Sequence, residues 1–497
     1  MRNSVVLNRI QGGACTVLGY GISNRPLVEW LLSHGAKEVT VRDKRSAEDM
    51  EKSGDFARLE ALGVTLVCGE DYLKDLDGDV IFRSPGIRPD LPEIRAAAAR
   101  GGVLTSEMEL FLTLTEATVV GISGSDGKTT TTTLTSLLLT EACKRRGCGR
   151  VYLGGNIGTP LLPFAEAMNP DDFAVVELSS FQLMTMGEGA AVTRGALTNI
   201  TPNHLNWHTD MEEYVAAKAH LLGGSPEAAV LNGRDENTRR IGASLTCPVV
   251  WFTGERDLPC GYLPETLNPV RGDRAVYERE GSIVAVTPAE EGLIETPMLA
   301  VSRIRIPGRH NVENFMTAIG LTLPHITPAD AEAVADSFTG VAHRLELVRE
   351  IPREGGVIRF YNSSIDSSPT RTCAALSAME EMNTALHRSP PVVICGGQDK
   401  HIPFAPLAEG LCRMAASVIL TGEARGQILD ALRACPDYDP EKLPVTVIPD
   451  YREAMRHACR TAQDGDTILL SPACTSFDAF KNFEERGEVF REIVKEI

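Results

Sequence analysis

The chain has few aromatic residues, 5% of its 497, with three tryptophans among them, and comparatively little positive charge. Its 49 lysines and arginines stand against 67 aspartates and glutamates, a formal net charge of −18 at pH 7. A surface of that sign repels polyanions. It excludes extended nucleic-acid binding, but not a single nucleotide held by local basic groups and a metal. No run of about 18 apolar residues occurs, so no membrane insertion is expected. The first residues, MRNSVVLNRIQGG, lack the apolar core of a secretory leader, and the expectation is a cytoplasmic protein. Twelve cysteines are scattered singly. Cys143 and Cys148 come closest to a pair, with no second pair at metal spacing, so reduced and mostly buried thiols are expected.

What is present is an alternation of short β-like runs with helical patterns over almost the whole length, the signature of α/β layers built on parallel sheets. At this length one core does not suffice and about two to four domains are expected. Three blocks emerge: residues 1–105, 106–340 and 341–497. In the first, Thr16-Val17-Leu18 runs into the loop GYGISN and a helical stretch, then Val39-Thr40-Val41 leads to Asp43, half of a nucleotide-binding βαβ unit. Asn24 stands where a dinucleotide fingerprint has its third glycine, so a structural βα turn fits as well as a ligand loop. FRSPGI (Phe82 to Ile87) ends another strand and sets Ser84 beside that loop at the carboxyl edge of the sheet. The second block includes a Gly- and Pro-rich region near 260–287 expected to be a meander of short strands. In the third, Val357–Phe360, Val392–Ile394, Val418–Leu420, Val445–Ile448 and Ile468–Leu470 read as strands separated by helices.

The strongest single signal lies in the second block. Thr118-Val119-Val120 leads into Gly121, Gly124 and Gly127, spaced by three, then Lys128, Thr129 and Thr130, and then leucines at helical spacing. Glycines let consecutive backbone N–H groups turn inward, and the following helix adds the partial positive charge of its N-terminus. Lys128 would reach the terminal phosphates of a nucleotide, and a threonine hydroxyl would bind Mg²⁺. Ile122 occupies the place of the first glycine of the usual P-loop spacing, which points to a narrower family than the generic P-loop ATPases.

Around that loop stand other candidates. Phe173-Ala174-Val175-Val176 ends abruptly in Glu177, a carboxylate at a strand end and well placed for Mg²⁺, though an N-cap or loop carboxylate would look the same. His204 and His208 in TPNHLNWH are each able to ligate a metal or hold a phosphoryl oxygen. Lys218, in YVAAKAHLL, reads equally as a snorkelling surface lysine. Arg344, at the junction of the second and third blocks, has the reach to meet phosphates when domains close. Lys400 follows a strand end and two glycines, and SPACTSFDAFKNFEERG (Ser471 to Gly487) reads as the wall of a substrate pocket.

Together these segments resemble the Mur ligase family, collinearly from the first loop to the last helix. GSDGKTT and HNVEN (His310 to Asn314) match the whole family. ELSSFQL, the GGNIG run at Gly154 to Gly158 and SPACTSFDAFKNFEERG match the member that adds D-glutamate. The resemblance implies a Rossmann-like UDP-binding domain (1–105), a central P-loop-type α/β ATPase domain (106–340) and a Rossmann-like amino-acid-binding domain (341–497). It implies an ATP- and Mg²⁺-dependent ligase, with up to two metal ions, acting on UDP-N-acetylmuramoyl-L-alanine and D-glutamate as a monomer in peptidoglycan precursor synthesis.

By the same resemblance, Gly21, Ile22, Ser23, Asn24 and Ser84 would hold the UDP diphosphate, with Asp43, Lys44 and Arg45 near the uracil. Gly124, Ser125, Asp126, Gly127, Lys128, Thr129 and Thr130 would bind ATP, with Asn314 and Arg344. Metal ligands would come from Thr129, Thr130, Glu177, His204 and a carbamate on Lys218, and Asn156 would face the muramoyl substrate. Lys128, His204, Lys218 and Arg344 would carry the chemistry; Lys400, Ser476, Phe477 and Phe483 would line the D-glutamate pocket. Three departures stand out. Asn203 and Asn206 replace aspartates flanking the histidine, Ser363 replaces an aspartate that contacts ATP, and Ile365 replaces a lysine. Asp366 is close enough in sequence to supply the missing carboxylate. The rivals are a Mur-type ligase adding another amino acid and a nicotinamide-dependent oxidoreductase built on GYGISN and Asp43. The second leaves the phosphate loop unexplained.

Overall fold

The structure is a computed structural model that describes residues 4–186, 191–205, 207–254, 257–258, 261–289, 292–400 and 402–497. Asn206 lies outside the described residues. Met1–Val301 with Glu313–Val334 form one compact unit, and Ser302–Val312 with Ala335–Ile497 a second.

The first unit holds two large sheets. One is parallel and five-stranded: β1 (Ala14–Leu18), β2 (Glu38–Asp43), β3 (Thr65–Cys68), β4 (Val80–Arg83) and β5 (Val103–Thr105), in the order β3-β2-β1-β4-β5. The order reverses at β1, between the GYGISN loop and the SPGI turn, which is where open α/β sheets place ligands. The other sheet has nine strands. Six are parallel neighbours: β6 (Thr118–Ser123), β7 (Val151–Gly155), β8 (Phe173–Glu177), β9 (Arg194–Leu197), β10 (Ala228–Asn232) and β11 (Val249–Thr253). A short antiparallel pair follows, β12 (Asp257–Leu258) and β13 (Gly261–Tyr262). Then β14 (Arg274–Arg279) joins β11 in parallel, and β15 (Ser282–Pro288) and β16 (Leu293–Ala300) extend the edge antiparallel. The meander expected near 260–287 thus exists and runs on to Ala300.

Every residue of β8 is buried, Glu177 included, as a central parallel strand covered on both faces requires. One apolar core runs from Val17, Leu27 and Leu31 through Phe111 and Leu162 to Val176 and Leu197, so the two sheets share their packing. The second unit carries a six-stranded sheet in the order β17-β18-β22-β19-β20-β21, where β17 (Glu346–Arg353) is antiparallel to β18 (Gly356–Asn362). The remaining strands, β19 (Val392–Gly396), β20 (Ser417–Thr421), β21 (Val445–Val447) and β22 (Thr467–Leu470), are parallel. All five runs read as strands in the third block fall on these. Every cysteine among the described residues is a free thiol.

Candidate active site

The phosphate-loop candidate lies at the carboxyl end of β6, between β8 and β9. Gly124 has φ +143° and Gly127 φ +79°, backbone regions that L side chains rarely adopt. A Cβ on Gly124 would stand 1.9 Å from Thr198 Oγ1, and one on Gly127 would stand 2.4 Å from Asn314 Oδ1. The loop is fastened from β9: Ser125 N donates to Asn199 O at 2.8 Å, Asp126 N to Asn199 Oδ1 at 2.9 Å, and Thr198 Oγ1 to Asp126 O at 2.6 Å. Gly127 is the N-cap of the helix Lys128–Arg146 and offers no side-chain cap to its first turn, whose N–H groups no helix can satisfy internally. Lys128 Nζ folds back onto the loop, donating to Gly124 O at 2.9 Å and Ser125 O at 2.8 Å. Asn314, buried in the helix Arg309–Thr322, accepts from Thr131 Oγ1 at 3.2 Å.

Beside the loop stands Glu177, 2% exposed at the end of β8. Its Oε1 accepts from Asn156 Nδ2 at 2.9 Å, while Oε2 is buried with no partner. An orphaned carboxylate oxygen is costly unless something cationic completes it. With the hydroxyls of Thr129 and Thr130 on the adjoining helix turn, this hard-oxygen donor set fits Mg²⁺. Among the described residues no group of three or more His, Cys, Asp or Glu side chains forms a ready-made cage.

Lys218 is the most unusual group. It is 1% exposed, donates from Nζ to Gly124 O at 2.7 Å, and lies 4.6 Å from the Tyr214 ring centroid. Burial first, then repulsion from Lys128, lowers its pKa to about 7, against the pull of Asp126 and Glu177. Those causes place Lys128, Asp126 and Glu177 within electrostatic reach of one amine. His204 is exposed, with φ +55°, and its ring meets Phe181 edge-on at 5.0 Å. Burial, Lys128 and Lys218 together lower its pKa. The second histidine belongs elsewhere. His208 is buried, with Nε2 2.9 Å from Ser180 Oγ, and serves as an internal strut rather than a ligand.

On the first sheet, Gly19 has φ +82°, and a Cβ there would stand 2.6 Å from Ser84 Oγ. Asn24 fills the place of the third glycine usefully. Its Nδ2 donates to Gly19 O at 2.8 Å and Ser84 Oγ at 3.0 Å, stapling the two loops together. Gly21, Ile22 and Lys44 are exposed beside them. Asp43 accepts from Tyr20 N at 2.7 Å and from Arg45 N at 2.9 Å. Burial pushes its pKa up, but the bonds from Arg45 and Tyr20 outweigh that and the net shift is downward. A ribose hydroxyl, as the oxidoreductase reading needs, would compete with these donors.

In the second unit Asp366, Lys400 and Ser476 follow the carboxyl ends of β18, β19 and β22, and Phe477 and Phe483 come next along the last of these segments. Lys400 Nζ donates to Ser367 Oγ at 3.1 Å, Phe477 is 64% exposed, and Ser476 is buried. Asp366 is buried and accepts from Ser471 Oγ at 2.9 Å; burial raises its pKa to about 6. Arg344 sits between His343 (φ +63°) and Leu345 (φ +41°), a tight turn in left-handed backbone. Arg486, absent from the sequence reading, is fully buried and donates to Ser364 O at 2.8 Å and Thr475 O at 3.1 Å, tying the SSID and SPACTS loops together. In the sequence it stands among Glu484, Glu485 and Glu488, where it reads as an ordinary helix-surface charge. Arg83 and Arg88, which flank SPGI, were missed in the same way.

Residues 122–322 match the Mur ligase middle domain, and residues 343–474 match the Mur ligase glutamate ligase domain. The UDP-N-acetylmuramoylalanine–D-glutamate ligase of Ruminiclostridium cellulolyticum is 39% identical over 97% of this chain and 96% of its own. That of Clostridium novyi is 40% identical over 98% of both chains. Among solved structures, the UDP-N-acetylmuramate-alanine ligase of Thermotoga maritima superposes with a TM-score of 0.53 at 18% identity, over 97% of this chain and 99% of that one. MurF from Acinetobacter baumannii gives 0.53 at 13% identity, over 98% and 92%. These two establish the shared fold, and the full-length relatives establish the lineage. The chain belongs to the Mur ligase family.

Proposed function

We propose that this protein is an ATP-dependent ligase joining the amine of D-glutamate to the L-alanyl carboxylate of UDP-N-acetylmuramoyl-L-alanine, a cytoplasmic step of peptidoglycan precursor synthesis. The observation that carries the reading is the convergence of the Gly124–Thr130 turn, the orphaned Glu177 Oε2 and the buried amine of Lys218.

A carboxylate is a poor electrophile, and an amine does not displace oxide. The carboxylate oxygen therefore attacks the γ-phosphorus of ATP, the bond to the β–γ bridging oxygen breaks, and ADP leaves with an acyl phosphate formed. The unprotonated amine of D-glutamate attacks the acyl carbon. The tetrahedral intermediate expels phosphate, and the amine's proton passes to phosphate or solvent. Lys128, at the helix N-terminus, would exchange its carbonyl contacts for phosphate oxygens, with Arg344 and Asn314 completing the ATP set. Bound Mg²⁺, held by Glu177 and a threonine hydroxyl, would offset charge on the phosphoryl oxygens.

Lys218, with a pKa near 7, has a neutral-amine fraction able to add CO₂. An N–C bond forms, a proton is lost, and the cation becomes an anionic oxygen donor beside His204, suited to a second cation. Ser84 and the Gly21–Asn24 loop would take the diphosphate, Asp43, Lys44 and Arg45 the uridine end, and Asn156 the muramoyl group. Lys400, Ser476, Phe477 and Phe483 would receive D-glutamate. One ligand per domain (1–105, 106–340, 341–497), in a monomer, accounts for the size of the chain. Alignment of three reactants contributes roughly 7–11 kcal/mol at best.

The test is phosphate release from ATP and UDP-N-acetylmuramoyl-L-alanine with a panel of amino acids. Turnover with D-glutamate alone is expected; equal turnover with L-alanine, meso-diaminopimelate or L-glutamate would overturn the assignment.

A further inference from the structure

The SPGI turn is bracketed by two arginines that leave the first sheet and end on the helices Ser180–Leu183 and Met211–Ala219 and the segments beside them, which follow strands of the second. Arg83, the last residue of β4, is 1% exposed. Its Nη1 donates to the carbonyls of Ser84 at 3.2 Å and Pro85 at 2.9 Å, and to that of Ile87, holding the turn from beneath. Its Nη2 donates to Phe181 O at 2.8 Å and Thr185 Oγ1 at 3.0 Å, on the helical turn that follows Glu177. Arg88, at the far end of the same turn, donates from Nη2 to Glu213 Oε1 at 2.9 Å and from Nη1 to Trp207 O, and stacks 4.9 Å over the Trp207 ring.

The two ends are joined behind. Glu213 Oε2 accepts from Thr209 N at 2.8 Å and lies 3.3 Å from His208 Nδ1, an ion-pair distance without hydrogen-bond alignment. His208 Nε2 is 2.9 Å from Ser180 Oγ. Ser180 precedes Phe181, whose carbonyl Arg83 holds. The circuit is closed: turn 83–88, Phe181 and Ser180, His208, Glu213, Arg88. Ser180, His208 and Glu213 stand in the order of a hydrolytic triad, but Ser180 is 3% exposed and no substrate reaches it. The trio is a strut.

Against the ring lies the exposed His204. Its carbonyl accepts from Trp207 N at 2.9 Å and His208 N at 3.0 Å, its backbone is in the left-handed region, and its ring rests on Phe181. Both neighbours that hold it are ring members or touch Arg88 directly. A non-glycine residue in that conformation stays there only when its surroundings over-determine it.

We infer that Arg88 and Glu213 are positioning residues that fix His204, on one sheet, in register with the Ser84 turn, on the other, so that the acceptor carboxylate meets the γ-phosphate in line. This rests on the ligase reading above. Neither side chain would touch a reacting atom. A ring of this kind matters to rate because a displacement of about 1 Å can cost on the order of 100-fold.

The test uses the full chain with Arg88→Ala, Arg88→Lys, Glu213→Gln and the double variant Arg88→Ala/Glu213→Gln, comparing KM for each substrate, kcat and Tm. Arg88 and Glu213 are partly exposed, at 21% and 22% of their side chains, so the variants should fold. The expected result is a fall of about 10- to 100-fold in kcat/KM for the UDP-linked substrate in Arg88→Ala, with KM for ATP and D-glutamate within about twofold of wild type. Lysine, which keeps the charge but not the fork, should recover only part. The double variant should be no worse than the poorer single one, because both break the same circuit. A lowered Tm with all kinetic constants at wild-type values would make the ring a stability element only and overturn the inference. Failure of the wild type itself to turn over the UDP-linked acid would instead overturn the ligase reading, and the inference with it.

Discussion

Replacing Gly124 by alanine tests the phosphate loop at its tightest point. The methyl group would stand 1.9 Å from Thr198 Oγ1 and 3.1 Å from Thr198 N, in a backbone at φ +143°. The backbone strain is worth roughly 1–3 kcal/mol. Thr198 Oγ1 must also move, and its 2.6 Å bond to Asp126 O is lost. That bond contributes a further ~1 kcal/mol. Together about 2–4 kcal/mol separates the variant from the nucleotide-binding conformation. At 1.36 kcal/mol per decade this is a ~30- to 1000-fold fall in kcat/KM for ATP. A coupled ADP-release assay with ATP varied reads it directly. Gly124→Ala/Thr198→Ala removes the clash but neither the strain nor the loss of the Asp126 bond, so it should stay within about threefold of Gly124→Ala. If Gly124→Ala alone keeps wild-type KM for ATP and wild-type Tm, the loop does not have this conformation and the reasoning fails.

Glu177→Gln removes the charge that would hold the cation while preserving the Asn156 contact through its amide oxygen. The expectation is a raised Mg²⁺ requirement and about 100-fold lower kcat, with Tm unchanged or higher because an unpaired buried charge is gone, read by Mg²⁺ titration of phosphate release and by melting. Asp366, raised to about 6 by burial, binds its proton more tightly in the folded chain than in the unfolded one. Its contribution therefore declines as pH rises from about 4 to about 6 and is level above that, by at most ~3 kcal/mol. Asp366→Asn should flatten that part of the stability–pH curve relative to wild type, in denaturant melts across the range; an unchanged slope would contradict the burial. Asn24→Ala removes the amide that staples Gly19 O to Ser84 Oγ and should raise KM for the UDP-linked substrate several-fold while leaving KM for ATP alone; steady-state kinetics with each substrate varied would show it.

The sequence made the architecture legible because strand periodicity and turn chemistry are local. The buried run Phe173–Val176 and the strands from Val357 to Leu470 lie where they were expected, and the glycine turn does so at Gly124 and Gly127, whereas Gly121 falls inside β6. The positions of candidate residues on those elements were legible for the same reason: Glu177 ends β8 and Lys128 starts the helix that follows the glycine turn. Lys218 was not legible from its pattern, since a helical lysine beside alanines looks the same whether it snorkels or is buried. Only its 1% exposure, with its contact to Gly124 O, separates the two. His208 misled because a histidine in a polar loop reads as a ligand, whereas Ser180, distant in sequence, holds its Nε2 and Glu213 lies 3.3 Å from its Nδ1. Arg83, Arg88 and Arg486 went unread because each acts by holding backbone carbonyls of segments far along the chain, and no spacing encodes that.

The central claim is that a carboxylate oxygen is transferred to phosphate through an acyl phosphate. The most direct measurement starts from UDP-N-acetylmuramoyl-L-alanine labelled with ¹⁸O in the L-alanyl carboxylate, turned over with ATP and D-glutamate, with the released phosphate analysed by mass spectrometry. One ¹⁸O atom in each phosphate is predicted. Amide product accompanied by unlabelled phosphate would contradict the account.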